Sequence, residues 1–181
     1  MLKFTEQELL KYFVNRNDCF ATQKSDGSYF PINEPLTLSY IRLHLQGIIT
    51  IATYCLNTEN KVKWIGVDID IGSSLEELKL SLEHANKVAS LFPEYMVVKE
   101  FSGRRGFHVW IVFKERMSAS YARLLVITRL NMAQLSHYEV FPKQTELGEH
   151  LKYGNHLKLP CGKHRVSGNF TQILSVTNKY E

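Results

Sequence analysis

The chain has 181 residues, 44% of them hydrophobic and 12% aromatic, enough to bury one sizeable core and too apolar for a disordered or fibrous protein. Its net charge of +4 permits a polyanionic partner without requiring one.

The opening segment MLKFTEQELLKYF carries acids where a secretion signal would be basic and then apolar. Thr5 and Glu8 have capping-box spacing ahead of Leu9, Leu10, Phe13 and Val14, which predicts a helix. KSDGSYFPINEP reads as turn and loop, and a second helix is predicted over 37–46, stopping at Gly47. IITIATYCL, the turn NTEN and KVKWIGVDIDI predict a hairpin. Val62 to Ile71 is a predicted strand. Ser73 and Ser74 with Glu76 and Glu77 then cap a helix whose Leu75, Leu78, Leu82, Ala85, Ala89 and Phe92 share a face, ended by Pro93. YMVVKEF and FHVWIVF are two strands joined by the loop Ser102 to Gly106. Ser118 starts a helix with Tyr121, Leu124, Leu125, Met132 and Leu135 on one side, and HYEVF is a short fourth strand. Cys19, Cys55 and Cys161 form no C-x-x-C pair, which argues for reduced thiols over a disulfide framework or zinc knuckle. No run approaches the ~20 apolar residues of a membrane span. A soluble cytoplasmic protein with no membrane partner is expected.

From Lys61 onward the order is β-α-β-β-α-β, the ferredoxin-like arrangement of RNA-recognition domains and of many nucleotidyl-transfer domains. The fold class expected is α+β: a ferredoxin-like core over 61–181, which includes a nucleotide-binding C-terminal segment, with an N-terminal α/β subregion over 1–60. Together they form a single domain over 1–181. Right-handed crossovers place the first core strand between the third and fourth, antiparallel to both. The end of that strand then meets the starts of its neighbours and the loop leaving the second strand. Asp68, Asp70, His108, Glu139 and the Ser102–Gly106 loop therefore converge on one edge of one sheet.

Asp68 and Asp70 are two apart in a strand, so their carboxylates share a face while Val67, Ile69 and Ile71 point into the core. Side-by-side anions suit a hard divalent cation, and Mg²⁺ takes one or two carboxylates plus substrate phosphates. Glu139 on the neighbouring strand adds a third carboxylate. The loop offers two glycines for close backbone approach and the Ser102 hydroxyl, while Arg104, Arg105 and His108 supply donors for phosphate oxygens. GNHLKLPCGKHRVSGN brings Lys158, His164 and Arg165 in what reads as a basic loop. Acids for two metals flanked by cations describe a nucleoside triphosphate site.

VDIDI, FSGRRGFHVW and KLPCGKHRVSG resemble, in that order, the three signature regions of archaeo-eukaryotic primases. NRNDCFATQKSDGSYFPI, HLQGIITIATY and EVFPKQTELG are similar to the primase-polymerases of prokaryotic conflict systems and CRISPR loci. The resemblance implies that Asp68, Asp70 and Glu139 are catalytic metal ligands for two Mg²⁺ or Mn²⁺ ions. Ser102, Arg104, Arg105, His108, Lys158 and His164 would contact the incoming nucleotide. It implies de novo primer synthesis on single-stranded DNA from nucleoside triphosphates, with CRISPR-associated or helicase domains as partners. Glu139 stands where replicative primases carry aspartate, Cys161, Gly162 and Lys163 depart from their usual residues, and the scattered cysteines do not match their zinc module. Arg16, Lys24 and Arg42 are candidates for template or initiator contacts. Three other readings remain open: a gap-filling end-joining polymerase, a single-strand-binding module and a nucleotide sensor.

Overall fold

The computed structural model describes residues 2–180. The first helix, α1 (Glu6–Phe13), is capped as expected: the Thr5 hydroxyl accepts from the Glu8 amide, and the Glu8 carboxylate accepts from the Thr5 amide at 2.8 Å. The next segment departs from the loop expected of it. Phe20–Gln23 (β1) and Tyr29–Ile32 (β2) form an antiparallel hairpin. Each strand has four residues, β1 is buried throughout and β2 hardly at all, so neither shows the alternation that marks a strand in sequence. The helix expected next, α2 (Leu38–Leu45), runs between Thr37 and Gln46 and stops at Gly47.

Ile51–Tyr54 (β3) does not make the predicted hairpin with the strand that follows it. It pairs antiparallel with β1 instead. Its four residues are all buried, so its apolar pattern carries no signal of which neighbour it joins. The predicted β-α-β-β-α-β series then follows: β4 (Lys61–Asp70), α3 (Leu75–Ser90), β5 (Met96–Phe101), β6 (Gly106–Ser118), α4 (Ala119–Met132) and β7 (Glu139–Phe141). The C-terminal segment, read as a basic loop, adds two strands, β8 (His156–Lys158) and β9 (Gln172–Thr177).

The architecture is α+β with two sheets, ordered β7-β4-β6-β5-β9 and β2-β1-β3-β8. In the larger sheet β4 lies between β6 and β7 and is antiparallel to both, as the crossover rule requires. One face of this sheet is covered by α3 and α4: Val67, Ile69, Val109 and Ile111 pack with Ala85, Val88, Val126 and Leu130. The other face turns toward the smaller sheet. There Trp64, Val98, Trp110 and Val112 share a layer with Phe13, Phe20, Ile51 and Leu157.

In α3 the expected stripe holds at Ala85 and, just past the helix end, at Phe92, with Leu82 and Ala89 packed beside them, while Leu75 is exposed and Ser81 and Val88 are also buried; in α4 the stripe differs, with Tyr121, Leu124 and Met132 exposed and Ala122, Val126 and Leu130 buried. Both helices carry apolar residues on more than one side, so periodicity alone does not choose the face. Close packing on a sheet favours the small and branched side chains. Cys19, Cys55 and Cys161 are free thiols. Among the described residues, no helix is long and apolar enough to cross a membrane.

Candidate active site between the two sheets

The alternation of strand side chains sets up the site. Asp68, Glu100, His108 and Glu139 occupy the register row that crosses β7, β4, β6 and β5: Glu139 opposes Asp68, Asp68 opposes His108, and His108 opposes Glu100. Directly opposed residues in an antiparallel pair point to the same face. Here that face is the one turned to the smaller sheet, so a row of ionisable groups continues the apolar layer of Trp64 and Trp110.

A cavity of about 260 Å³ opens at this row. Asp68, Asp70, Ser102, Arg104, Arg105, His108, Lys158 and His164 all line it. Of the expected site residues, Glu139 alone lies outside. Its Oε1 accepts from Lys143 Nζ at 2.8 Å, and its side chain borders a neighbouring groove with Arg123 and Tyr138.

Burial pushes the Asp68 carboxyl above its usual range; the His108 ring works against that shift, while Asp70 and Glu139 add to it. Asp68 Oδ1 lies 3.8 Å from His108 Nε2, and Asp70 Oδ2 lies 2.8 Å from Arg105 Nη2. Glycine is required at two loop positions. Gly103 sits in the left-handed region at φ +88°, and its carbonyl accepts from Ser167 Oγ at 2.7 Å. A Cβ on Gly106 would lie 2.2 Å from the Ile69 carbonyl oxygen, so only glycine lets β6 begin directly against the end of β4. The Ser102 amide donates to Gly106 O at 2.8 Å and closes the loop.

Lys158 is a buried strand residue, contrary to the loop expected. At 4% exposure its Nζ donates to Ser102 O at 2.6 Å, which ties β8 to the loop. Burial lowers its pKa to about 8, against the opposing pull of Glu100 and Asp68. His164 is brought down to about 4 by burial and by Lys158, Arg104 and His108. Its Nδ1 accepts from the Ser167 amide at 3.2 Å, so the neutral ring carries its proton on Nε2.

Four wall residues were not foreseen: Tyr29, Phe141, His156 and Leu157. Tyr29 and His156 come from β2 and β8, strands the pattern did not predict, and their rings lie 4.6 Å apart. Burial, with Glu100 adding, raises the Tyr29 phenol well above its ordinary value. The template candidates all lie elsewhere: Arg16 pairs with Asp18, Arg42 pairs with Glu6, and Lys24 covers the Phe30 ring. Arg165 likewise points away and donates to the Ile48 carbonyl.

Two aspartates on one face, one of them half-buried beside like charges, fit a hard divalent cation. Among the described residues, no three His, Cys, Asp or Glu side chains are gathered closely enough to hold one. The site therefore presents two carboxylates in a cavity they share with Arg104, Arg105, Lys158 and three histidines, His108, His156 and His164.

A family model described as the archaeo-eukaryotic primase domain of the TOTE conflict system matches residues 6–179. The fold is similar to that of the archaeo-eukaryotic primase domain of the primase-polymerase of cyanophage S-2L. The TM-score is 0.57 at 14% identity, covering 96% of this chain and 88% of that one. No curated protein sequence matches.

Proposed function

The chain belongs to the archaeo-eukaryotic primase domains of TOTE conflict systems, and on that premise we propose that it is a template-directed nucleotidyltransferase. It starts primers on single-stranded DNA and extends them from nucleoside triphosphates. The supporting observation is one cavity lined together by Asp68, Asp70, Arg104, Arg105, His108, Lys158 and His164. Such a pairing of acids and cations suits phosphoryl transfer, in which positioning and charge stabilisation do most of the work.

In this reading Asp68 and Asp70 would hold divalent cations, Mg²⁺ or Mn²⁺, joined by Glu139 once it leaves Lys143. Bound there, the ions would activate a 3′-hydroxyl and neutralise the departing pyrophosphate. The protein's own groups do the rest. Arg104 and Arg105 grip phosphate oxygens at the mouth, and Lys158 meets them from the floor. His164 donates from Nε2, the Ser102 hydroxyl adds a further donor, and the Tyr29–His156 wall limits where base and sugar lie.

A second reading, nucleotide binding without transfer, is favoured by the engagement of Glu139 with Lys143 outside the cavity. Synthesis on an unprimed single-stranded DNA template, with labelled nucleotides and Mn²⁺ or Mg²⁺, separates the two. Short products that vanish in Asp70→Ala support priming. Extension of a supplied primer without de novo products demotes the chain to an end-extending polymerase. Nucleotide binding with neither product selects the sensor. Helicase or CRISPR-associated partners are a further expectation of this reading, open to a pull-down with the native operon products.

A further inference from the structure

Beneath the cavity floor lies a carboxylate that the motif pattern did not single out and that does not line the cavity. Glu100, on β5, is 0% exposed. Val98, two residues before it on the same face, belongs to the apolar layer, so an apolar side chain would suit this position as packing. A charge taken out of water is costly unless hydrogen bonds offset it. Both bonds here converge on one oxygen: Glu100 Oε2 receives Trp110 Nε1–H at 3.1 Å and lies 3.2 Å from His108 Nδ1.

The indole N–H is only a donor, so Oε2 acts as an acceptor. The hydrogen bond to His108 then requires the ring proton on Nδ1, which leaves Nε2 as the nitrogen turned toward Asp68 and the cavity. Burial opposes ionisation of Glu100, yet His108 and, beyond it, Lys158 outweigh that and hold the carboxyl below its usual range. The Thr171 hydroxyl adds a smaller contribution in the same direction. The two ring contacts, from His108 and Trp110, both fall on Oε2.

We propose that Glu100 is a positioning residue: it keeps a proton on His108 Nδ1 and leaves Nε2 as the ring nitrogen that meets the nucleotide. The proposal rests on the nucleotide-binding reading of the cavity. It assigns to a buried carboxylate the task that a ligand-orienting partner performs for a histidine in other sites, where the hydrogen bond to one ring nitrogen decides what the other can do.

Three substitutions separate positioning from packing. Glu100→Gln keeps an oxygen that can accept from both rings. Glu100→Met keeps the volume and removes the acceptor. Trp110→Phe removes the other donor and leaves the bond to His108. Ring nitrogen resonances of ¹⁵N-histidine-labelled protein, assigned with His108→Gln, report the proton position, and titration with dATP and ATP reports affinity without turnover.

The wild type should show His108 protonated on Nδ1. Glu100→Met should lose that preference and weaken nucleotide binding about tenfold or more in folded protein. Glu100→Gln should stay within about threefold of wild type, and Trp110→Phe should bind as wild type. A His108 proton on Nε2 alone in the wild type overturns the proposal, whether or not Glu100→Met folds. Folded Glu100→Met with unchanged affinity overturns it as well. A wild type that binds nucleotide but makes no product removes the polymerase reading only, whereas one that binds no triphosphate removes both.

Discussion

Glu139 stands directly opposite Asp68 in the β4–β7 ladder, yet its carboxylate is held by Lys143 at 2.8 Å. Both partners are about half exposed and four residues apart. Such surface pairs are worth only about 0–1 kcal/mol, so a cation seated at Asp68 can draw Glu139 across at little cost. Lys143→Met should therefore lower the Mn²⁺ concentration for half-maximal activity by up to about fivefold, and Glu139→Gln should raise it. Metal titrations that coincide for all three proteins would exclude Glu139 from the site.

The Arg105–Asp70 pair predicts opposite effects from a single substitution. Arg105 Nη2 occupies an oxygen of Asp70 that a metal would need, and the same guanidinium lines the cavity in which the proposed triphosphate would sit. Arg105→Ala should tighten metal binding while weakening nucleotide binding about tenfold, the scale of a lost charge-assisted hydrogen bond. Arg104→Ala should weaken nucleotide binding and leave metal affinity unchanged. Calorimetry with Mn²⁺ alone, then with nucleotide, reads both quantities.

Gly106 is a test of the scaffold. An added methyl would meet the backbone oxygen of Ile69, which has no side-chain freedom to yield, and would force apart the Asp70–Gly106 register. Gly106→Ala should cost about 2–3 kcal/mol, the range of overpacked sites, seen as a lower urea midpoint. Gly148→Ala, with open space around the added atom, should leave the midpoint within about 0.5 kcal/mol.

His44 predicts an acid sensitivity unrelated to catalysis. It is fully buried; its Nδ1 accepts from the Ile51 amide at 2.9 Å, and its Nε2–H lies 3.1 Å from the carbonyls of Leu159 and Pro160. These bonds hold the segment after β8, and with it Lys158, in place. Burial lowers the pKa from 6.5 to about 4. Between those values the unfolded chain binds a proton that the native ring refuses. Stability is thus fully present above about 6.5 and falls as the pH drops toward 4, by about 3 kcal/mol in total. Urea midpoints from pH 7 to 4.5 should fall more steeply for wild type than for His44→Gln. Parallel slopes would remove His44 as the cause.

Much of this protein was legible because it is local. The capping pairs Thr5–Glu8 and Ser74–Glu77, the alternation through VDIDI and the glycine-flanked arginines each depend on residues a few positions apart, and backbone geometry translates such spacing directly into structure. The β-α-β-β-α-β order followed from these signals, and the handedness of crossovers then put Asp68, His108 and Glu139 in one row. The resemblance of the three signature segments to primases rested on the same short stretches.

What required the tertiary structure is everything carried by pairings distant in sequence. The pairing of β3 with β1 and β8 brings β8, bearing Lys158, against the loop of the larger sheet, and turns an apparent basic loop into a buried cavity floor. It also brings Tyr29 and His156 into the wall. The hold of Lys143 on Glu139 and of Glu100 on His108 depends on side-chain direction and burial, which spacing does not encode. Sequence by itself determined which chemical groups this protein has and which short segments carry them. Tertiary structure decided which of those groups are desolvated and which already have partners, because a long-range pairing draws its energy from surfaces that no local pattern records.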